Sequence, residues 1–218
     1  MPMNKQAGNM YSWVTHTWNP IRGKCPHDCS YCYMKRFKVG KLRLAEEELK
    51  TDLGEGNVIF VGSSTDMWAG EVPPKWTRDV MEHCKKYPNN TYLFQSKNPI
   101  RLDTHNPDFF PPKTIIGTTI ETNRPTATFA PQTPDRYLWM EHITYSRRTM
   151  ISIEPIMDFD LDVMVEWMKK IKPEFVSIGA DSQNHNLPEP SPEKVDALIT
   201  ELKKFTEVKI KSNLKRIR

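Results

Sequence analysis

Short apolar runs alternate with helical patterns along most of the chain, and this alternation limits the fold more than any other feature. The runs are rich in β-branched and aromatic residues and end in turn residues, which is typical of strands. They lie near residues 13–17, 58–61, 92–94, 114–120, 150–153, 175–178 and 208–210. Strands that alternate with helices are usually parallel and covered by those helices. The pattern therefore predicts an α/β protein with a parallel sheet.

The length of the chain limits the number of β/α units. A complete eight-unit barrel needs about 250 residues, whereas this chain has 218. We therefore expect an open six-unit (β/α)6 partial barrel with a short additional C-terminal strand. Residues 1–218 are expected to form a single domain.

Three helices are predicted by apolar residues at helical spacing. One covers residues 75–87 and carries Cys84 on its apolar face, so we expect that thiol to be buried. A second follows Asp160, and a third follows Ser191, which is a favourable N-cap residue. A loop rich in Pro and Thr over residues 123–134 is expected to be either a lid or a simple connection.

Composition indicates a reducing compartment. The sequence has four cysteines, no apolar run near the ~20 residues of a membrane span, and no signal peptide at its start. Thiols persist where disulfides are kept reduced. We therefore expect a cytoplasmic protein without a membrane partner.

Three cysteines lie within eight residues, with the spacing Cys25-x3-Cys29-x2-Cys32. Three thiolates on one loop can hold three corners of a [4Fe–4S] cluster and leave one iron open to a small molecule. A structural zinc site is the main alternative, although zinc ligands usually come as two pairs far apart in sequence. The candidates for a fourth zinc ligand are His16, His27 and Cys84. A disulfide or a chance cluster of buried thiols fits less well, because three thiols cannot all pair and the loop is polar.

The cysteine motif, with Tyr31 before its last cysteine, resembles the cluster motif of the radical S-adenosylmethionine (SAM) enzymes. Further segments resemble a phage-associated radical SAM family of unknown function, which is distantly similar to spore photoproduct lyase. These segments are Trp18-Asn19-Pro20 and residues 63–67, 95–99 and 152–155. The resemblance extends from about Trp13 to the C-terminus. It implies the radical SAM partial barrel, in agreement with the strand pattern.

The resemblance implies two cofactors, a [4Fe–4S] cluster held by Cys25, Cys29 and Cys32, and SAM. An electron donor such as flavodoxin or ferredoxin would reduce the cluster. Reductive cleavage of SAM would then give a 5′-deoxyadenosyl radical that abstracts hydrogen from a substrate. In such enzymes the cofactors carry the difficult chemistry, and the protein supplies binding and orientation.

The same resemblance implies which residues contact SAM. Tyr31 would lie beside the adenine, and Lys97 would meet the SAM carboxylate as a point charge. The amino end of SAM would be taken by Ser63, Ser64 and Asp66. That segment departs from the common Gly-Gly-Glu version of the motif, which leaves open the side chain that makes the contact. The candidates for the ribose hydroxyls are Thr118, Thr119 and Glu121.

Polar residues follow five successive predicted strands. Parallel strands bring their carboxyl ends to one edge of the sheet, where binding sites form. Glu154 is a further cofactor-binding candidate, and both Glu154 and Asp181 are placed to face a substrate. The alternative for either carboxylate is a salt bridge at the rim of the barrel.

Charge gives a hint about the substrate. The net charge is only +4, but basic residues cluster within residues 35–43 and 209–218. Basic residues beside a reactive site favour an anionic substrate, and a solvated helix face is the alternative. We therefore favour a nucleobase or nucleotide substrate, as in phage DNA hypermodification. The other hypotheses are a radical SAM enzyme acting on a peptide or small metabolite, and a non-catalytic zinc-binding nucleic-acid module.

Overall fold

The computed structural model of the chain describes residues 3–103, 106–143 and 147–218. Its strands are β1 (Asn4–Lys5), β2 (His16–Trp18), β3 (Ile21–Arg22), β4 (Arg43–Leu44), β5 (Val58–Val61), β6 (Thr91–Gln95), β7 (Thr114–Thr119), β8 (Arg148–Ile153), β9 (Phe175–Ile178) and β10 (Glu207–Ile210). Its α-helices are α1 (Pro74–Lys85), α2 (Ile100–Asp103), α3 (Thr133–Ile143), α4 (Leu161–Ile171) and α5 (Pro192–Leu202). Short 3₁₀ segments cover Tyr33–Arg36, Glu46–Lys50, Pro107–Phe109 and Ser212–Ile217.

The main sheet has the strand order β1-β2-β5-β6-β7-β8-β9-β10. From β2 onward all neighbours are parallel, and β1 adds one antiparallel strand at the edge. Strands β3 and β4 form a separate antiparallel pair. The predicted α/β fold with a parallel sheet is confirmed. The six-unit partial barrel stays a prediction.

The sheet is covered on both faces. Alternate residues of β5 to β9 face the helices, in a large apolar cluster that includes both Met164 and Met168 of α4. The other residues face a smaller cluster with Tyr11 and Val14 of the N-terminal segment. Strand β7 is buried at all of its positions. Because apolar residues cover both faces of the sheet, polar side chains are found at the ends of its strands.

Three of the predicted helices are confirmed, as α1, α4 and α5. Ser191 caps α5, since its side chain accepts a hydrogen bond from the backbone N–H of Lys194. Cys84 is fully buried on α1, as expected. Helix α3 differs from the prediction, because it begins at Thr133, within the span 123–134 predicted as a Pro/Thr loop. Its buried face includes the polar residues Thr133 and Arg136, so it shows no apolar stripe.

The path from β2 to β5 contains no α-helix among the described residues. The cysteine loop, the β3–β4 pair and two 3₁₀ segments occupy this connection. Within the described parts of the chain, no helix has the length and apolar character needed to cross a bilayer.

Candidate active site

A cavity of about 460 Å³ lies at the carboxyl edge of the parallel strands. It is lined by residues that follow β5, β6, β8, β9 and β10, and by the last residue of β7. All three clustered cysteines, Cys25, Cys29 and Cys32, line this same cavity. Its volume is within the usual range of about 300–1,000 Å³ for small-molecule sites.

The cysteine loop is held by the segment that precedes α3. The backbone N–H of Ser30 donates to the carbonyl of Ala127 at 3.2 Å, and that of Phe129 donates to the carbonyl of His27 at 2.8 Å. The hydroxyl of Thr128 lies 3.3 Å from the sulfur of Cys29. The Pro/Thr loop therefore supports the cysteine loop directly.

Burial favours the protonated form of two of the three thiols, Cys25 and Cys32. Burial and the negative charge of Asp66 raise the pKa of Cys25 to about 12. Hydrogen bonds from backbone N–H groups lower it, but by less. Burial also raises the pKa of Cys32. A bound metal would reverse this, because coordination deprotonates a thiol.

A single-ion site is not formed. Across the described residues, no three His, Cys, Asp or Glu side chains are grouped so as to hold one metal ion. His27 is buried and its Nε2 lies 2.8 Å from Oδ2 of Asp66. His16 contacts the hydroxyl of Thr15, and Cys84 lies in the core. Of the three residues considered from the sequence as a fourth zinc ligand, only His27 lines the cavity with the cysteines.

Asp66 joins the loop after β5 to the loop after β6. Its Oδ2 accepts hydrogen bonds from Ser96 Oγ at 2.8 Å and from the backbone N–H of Lys97 at 2.9 Å. Its Oδ1 accepts from the backbone N–H of Trp68 at 2.9 Å. Burial would raise the pKa of Asp66, but the contact with His27 and these hydrogen bonds lower it overall. With both oxygens engaged, Asp66 acts on the cavity mainly by fixing its neighbours.

Asn19 orients the two serines predicted to bind the amino end of SAM. Its Oδ1 accepts from the backbone N–H of Ser64 at 2.9 Å and from the hydroxyl of Ser63 at 3.2 Å. Gly62 precedes them with φ +77°, a conformation that favours glycine. Its N–H donates to the carbonyl of Trp18 at 2.9 Å. The Trp18-Asn19 segment is therefore a support for the 63–66 loop.

Tyr31 and Lys97 share a buried carboxylate. Lys97 Nζ lies 2.5 Å from the hydroxyl of Tyr31 and 2.6 Å from Oε1 of Glu121, to which Tyr31 also donates. Arg136, fully buried, donates from Nη1 to Oε2 of Glu121 at 2.9 Å. Burial would raise the pKa of Glu121, but Lys97 and Arg136 lower it to about 2. Burial and the charge of Glu121 raise the pKa of Tyr31, so its hydroxyl stays protonated.

The predicted ribose contacts do not lie together on the cavity wall. Thr119 lines the cavity, where its hydroxyl accepts from Gln95 Nε2 at 3.0 Å. Thr118 is fully buried and donates to the carbonyl of Ser96 at 2.6 Å. Neither Thr118 nor Glu121 is among the residues that line the cavity. Of the three candidates, only Thr119 can reach a bound molecule without a rearrangement.

Glu154 is held on the cavity wall by three side-chain donors. Lys211 Nζ donates to its Oε2 at 2.6 Å, and the amides of Asn9 and Asn213 donate to Oε1 at 2.8 and 3.2 Å. Glu154 and Lys211 both line the cavity. The salt-bridge alternative therefore describes Glu154 in this structure. Asp181 also lines the cavity and pairs with Nδ1 of His185 at 2.8 Å.

Several residues of the site were not singled out from the sequence as site residues. Tyr11 lines the cavity, where its hydroxyl donates to Oε1 of Gln95 at 2.9 Å and lies 2.8 Å from the hydroxyl of Ser152. Lys211 follows the last strand, so the strand-end argument could have found it. Nothing near Tyr11 or Arg136 in the sequence indicates a role in the site.

Two kinds of solved structure have a fold similar to that of this chain. A mutant spore photoproduct lyase with bound AdoMet and dinucleoside spore photoproduct has 9% sequence identity and a TM-score of 0.67, covering 94% of this chain and 78% of that chain. SuiB of Streptococcus suis, bound to the precursor peptide SuiA, has 6% identity and a TM-score of 0.61. That match covers 89% of this chain and 48% of SuiB, so the chain spans about half of its length. At these identities the likeness shows the fold alone.

A comparison with curated proteins finds no match. Residues 9–188, most of the chain, match the family described as "Protein of unknown function (DUF5131)", and the chain therefore belongs to this family.

Proposed function

We propose that the chain is a radical SAM enzyme. Cys25, Cys29 and Cys32 would hold a [4Fe–4S] cluster, and SAM would occupy the adjoining part of the cavity. Such a cluster supplies the electron that cleaves SAM and generates the radical that abstracts hydrogen. The fold shared with spore photoproduct lyase and SuiB, both radical SAM enzymes, supports this reading. A six-unit partial barrel is part of the same proposal.

One observation carries the proposal. The three cysteines line the same cavity as seven of the nine positions expected to bind the cofactor, namely Tyr31, Ser63, Ser64, Asp66, Lys97, Thr119 and Glu154. These residues come from five separate parts of the sequence, so their convergence does not follow from local chain geometry. The donor set fits a cluster, because cysteine thiolates are the usual protein ligands of its irons.

The residues of the wall would bind and orient SAM. Lys97 has three N–H donors, two of which are used by Tyr31 and Glu121, so one remains for a carboxylate. Ser63 and Ser64 line the cavity and are fixed by Asn19, which accepts from the Ser63 hydroxyl and the Ser64 backbone N–H. Tyr31 is fixed at its hydroxyl, which holds its ring against the cavity.

For the substrate we propose a nucleobase or nucleotide, as in phage DNA hypermodification, with a flavodoxin or ferredoxin as electron donor. Support comes from the basic residues beside the cavity, of which Arg36 lines it. The alternative of a peptide substrate has support in the similar fold of SuiB bound to its precursor peptide. About half of SuiB, however, is not covered by this chain. The third hypothesis, a non-catalytic zinc-binding nucleic-acid module, is tested by the metal content of the protein.

The experiment is anaerobic reconstitution with iron and sulfide. We expect a brown protein that converts SAM to 5′-deoxyadenosine when reduced with dithionite. Cys25→Ala, Cys29→Ala and Cys32→Ala should each lose the cluster and the product. Cys84→Ala is the matched control and should retain both, because its thiol lies in the core away from the cavity. Stoichiometric zinc with no product from SAM would contradict the proposal.

A further inference from the structure

The two clusters of basic residues in the sequence differ in how many of their charges are paired with carboxylates. In the C-terminal cluster, Lys209 and Lys211 pair with acids at 2.6 Å, and Arg216 and Arg218 are paired as well. The partners are Glu207, Glu154, Glu189 and Asp196. This cluster is largely neutralised within the fold.

The cluster that follows the cysteine loop keeps free cations. Lys35 pairs with Asp28 and Arg43 pairs with Glu47. Among the residues the structure describes, no carboxylate lies within ion-pair distance of Arg36, Lys38 or Lys41. Every residue from 35 to 41 is exposed. The segment therefore presents uncompensated positive charge to solvent.

Exposed aromatic rings lie in this segment and in the loop that supports the cysteine loop. Phe37 is 49% exposed, and the guanidinium of Arg36 lies 4.7 Å from the centre of its ring. Tyr33 is 40% exposed. Phe129, in the loop that supports the cysteine loop, is 81% exposed, although its backbone is fixed to His27. Rings this exposed contribute little to the core, so their hydrophobic surface is available to a ligand.

Residues 33–41 together with Phe129 are here called the basic rim. The basic rim adjoins the cavity, since both Tyr33 and Arg36 line it. The hydroxyl of Tyr33 donates to the carbonyl of Ser63 at 3.0 Å, which fixes one ring at the cavity mouth. A ligand on the basic rim would therefore be able to place one of its groups in the cavity.

We propose that the basic rim binds single-stranded nucleic acid. Lys38, Lys41 and Arg36 would contact phosphates, and the rings of Phe37 and Phe129 would stack on bases. Stacking favours a single strand, because the bases of a duplex are already stacked on each other. Cations alone would suit an acidic protein or an anionic membrane equally well, and it is the exposed rings that favour bases. The inference rests on the proposed function in one respect. It specifies that the proposed nucleobase substrate would lie within a single-stranded nucleic acid.

The test is direct binding by the full 218-residue chain. A fluorescein-labelled 12-nucleotide single strand is titrated with protein, and anisotropy is followed at several salt concentrations. We expect binding that weakens with salt, and weaker binding of the matching duplex. Phe37→Ala should reduce affinity about tenfold or more, while Phe37→Trp should retain it. Phe205→Ala is the matched control, because Phe205 is 37% exposed and lies after α5, toward the opposite edge of the sheet.

Charge reversal tests the phosphate contacts. The pair Lys38→Glu with Lys41→Glu should weaken binding and reduce the magnitude of the salt slope by about 1.4, at about 0.7 per phosphate contact of a single strand. Lys113→Glu with Lys203→Glu makes the same change in net charge. These exposed lysines precede β7 and follow α5, far from the cavity edge. This control should bind as the wild type does.

Three outcomes would overturn the inference. They are equal affinity for duplex and single strand, no effect of the ring variants, and binding only to anionic vesicles or to an acidic redox protein. Folding of each variant is checked by circular dichroism, and Phe37→Trp keeps the test open if Phe37→Ala is unstable. The assay needs neither cluster nor SAM. If the protein cleaves SAM but does not bind oligonucleotides, this inference alone is wrong. If it binds oligonucleotides but does not cleave SAM, only the proposed function is wrong.

Discussion

Lys97 donates from Nζ to Oε1 of Glu121 at 2.6 Å, so a cation at the cavity wall is held by a carboxylate that is itself out of solvent. Arg136 occupies the other oxygen of that carboxylate. Glu121 is therefore a bridge between a cavity residue and a buried one. It fixes the position of Lys97 without lining the cavity.

Because of this arrangement, the free energy of unfolding should decrease at acid pH. Lys97 and Arg136 outweigh the effect of burial and lower the pKa of Glu121 from 4.5 to about 2. The unfolded chain binds the proton more tightly, so ionised Glu121 stabilises the fold fully above about pH 4.5. That contribution is lost as the pH falls from about 4.5 toward 2. Glu121→Gln should flatten the pH dependence of the unfolding free energy in this window.

Urea denaturation at several pH values between about 3 and 6 measures the effect. Glu55→Gln removes an exposed carboxylate and controls for the change in net charge. Identical pH profiles for the wild type and Glu121→Gln would show that the Glu121 carboxylate does not carry this dependence.

Arg136 is expected to be the stronger determinant of stability. Its side chain and that of Glu121 are both 0% exposed. It also donates to the carbonyls of Thr119 at 2.9 Å and Pro131 at 2.6 Å. Arg136→Met should reduce the unfolding free energy by about 3–5 kcal/mol, because it leaves a buried carboxylate with one partner fewer. Adding Glu121→Gln should recover part of this loss, giving a coupling of about 0.5–3 kcal/mol in a double-mutant cycle. Strictly additive effects would argue against the pair.

Local periodicity is what made much of the fold predictable. The strands near residues 58–61, 92–94 and 175–178 form where their apolar runs lie. Helix α4 forms where its apolar stripe lies, and α5 begins after its cap, Ser191. The cysteine spacing likewise indicated a site, and its three members share one cavity.

Pairing over long separations could not be predicted in this way. A carboxylate after a strand can pair with any cation that the fold brings near, and the sequence does not name it. Glu154 meets Asn9 from 145 residues away and Lys211 from 57 residues away. The role of Arg136 could not be predicted for a second reason. A charged residue on the buried face of α3 interrupts the apolar stripe by which a helix is recognised in a sequence.

Thr128 is expected to tune a cluster bound at the cysteines. Its hydroxyl lies 3.3 Å from the sulfur of Cys29 and 3.0 Å from the carbonyl of His27, and it accepts from the N–H of Ala130. The hydroxyl has one proton, which would turn from the carbonyl of His27 to a thiolate, because hydrogen bonds to a charged acceptor are stronger. Hydrogen bonds to cluster sulfurs stabilise the more negative, reduced state. Thr128→Val should make the reduction potential more negative, and Thr128→Ser should leave it near the wild-type value. A redox titration followed by electron paramagnetic resonance measures this, and equal potentials in all three proteins would count against it.

A methyl group added at Gly179 should disturb the part of the cavity wall that contains Glu154. A Cβ there would lie 2.7 Å from Oε1 of Glu154. The backbone cannot easily withdraw, because the N–H of Gly179 donates to Ile153 and its carbonyl accepts from Ile156. Gly179→Ala should therefore displace the Glu154 carboxylate from its donors and lower the unfolding free energy by about 1–3 kcal/mol. Gly70→Ala is the control, since a Cβ at Gly70 meets nothing within 4 Å. Urea denaturation compares the two, and equal stability would mean that the Glu154 side chain can move aside without loss.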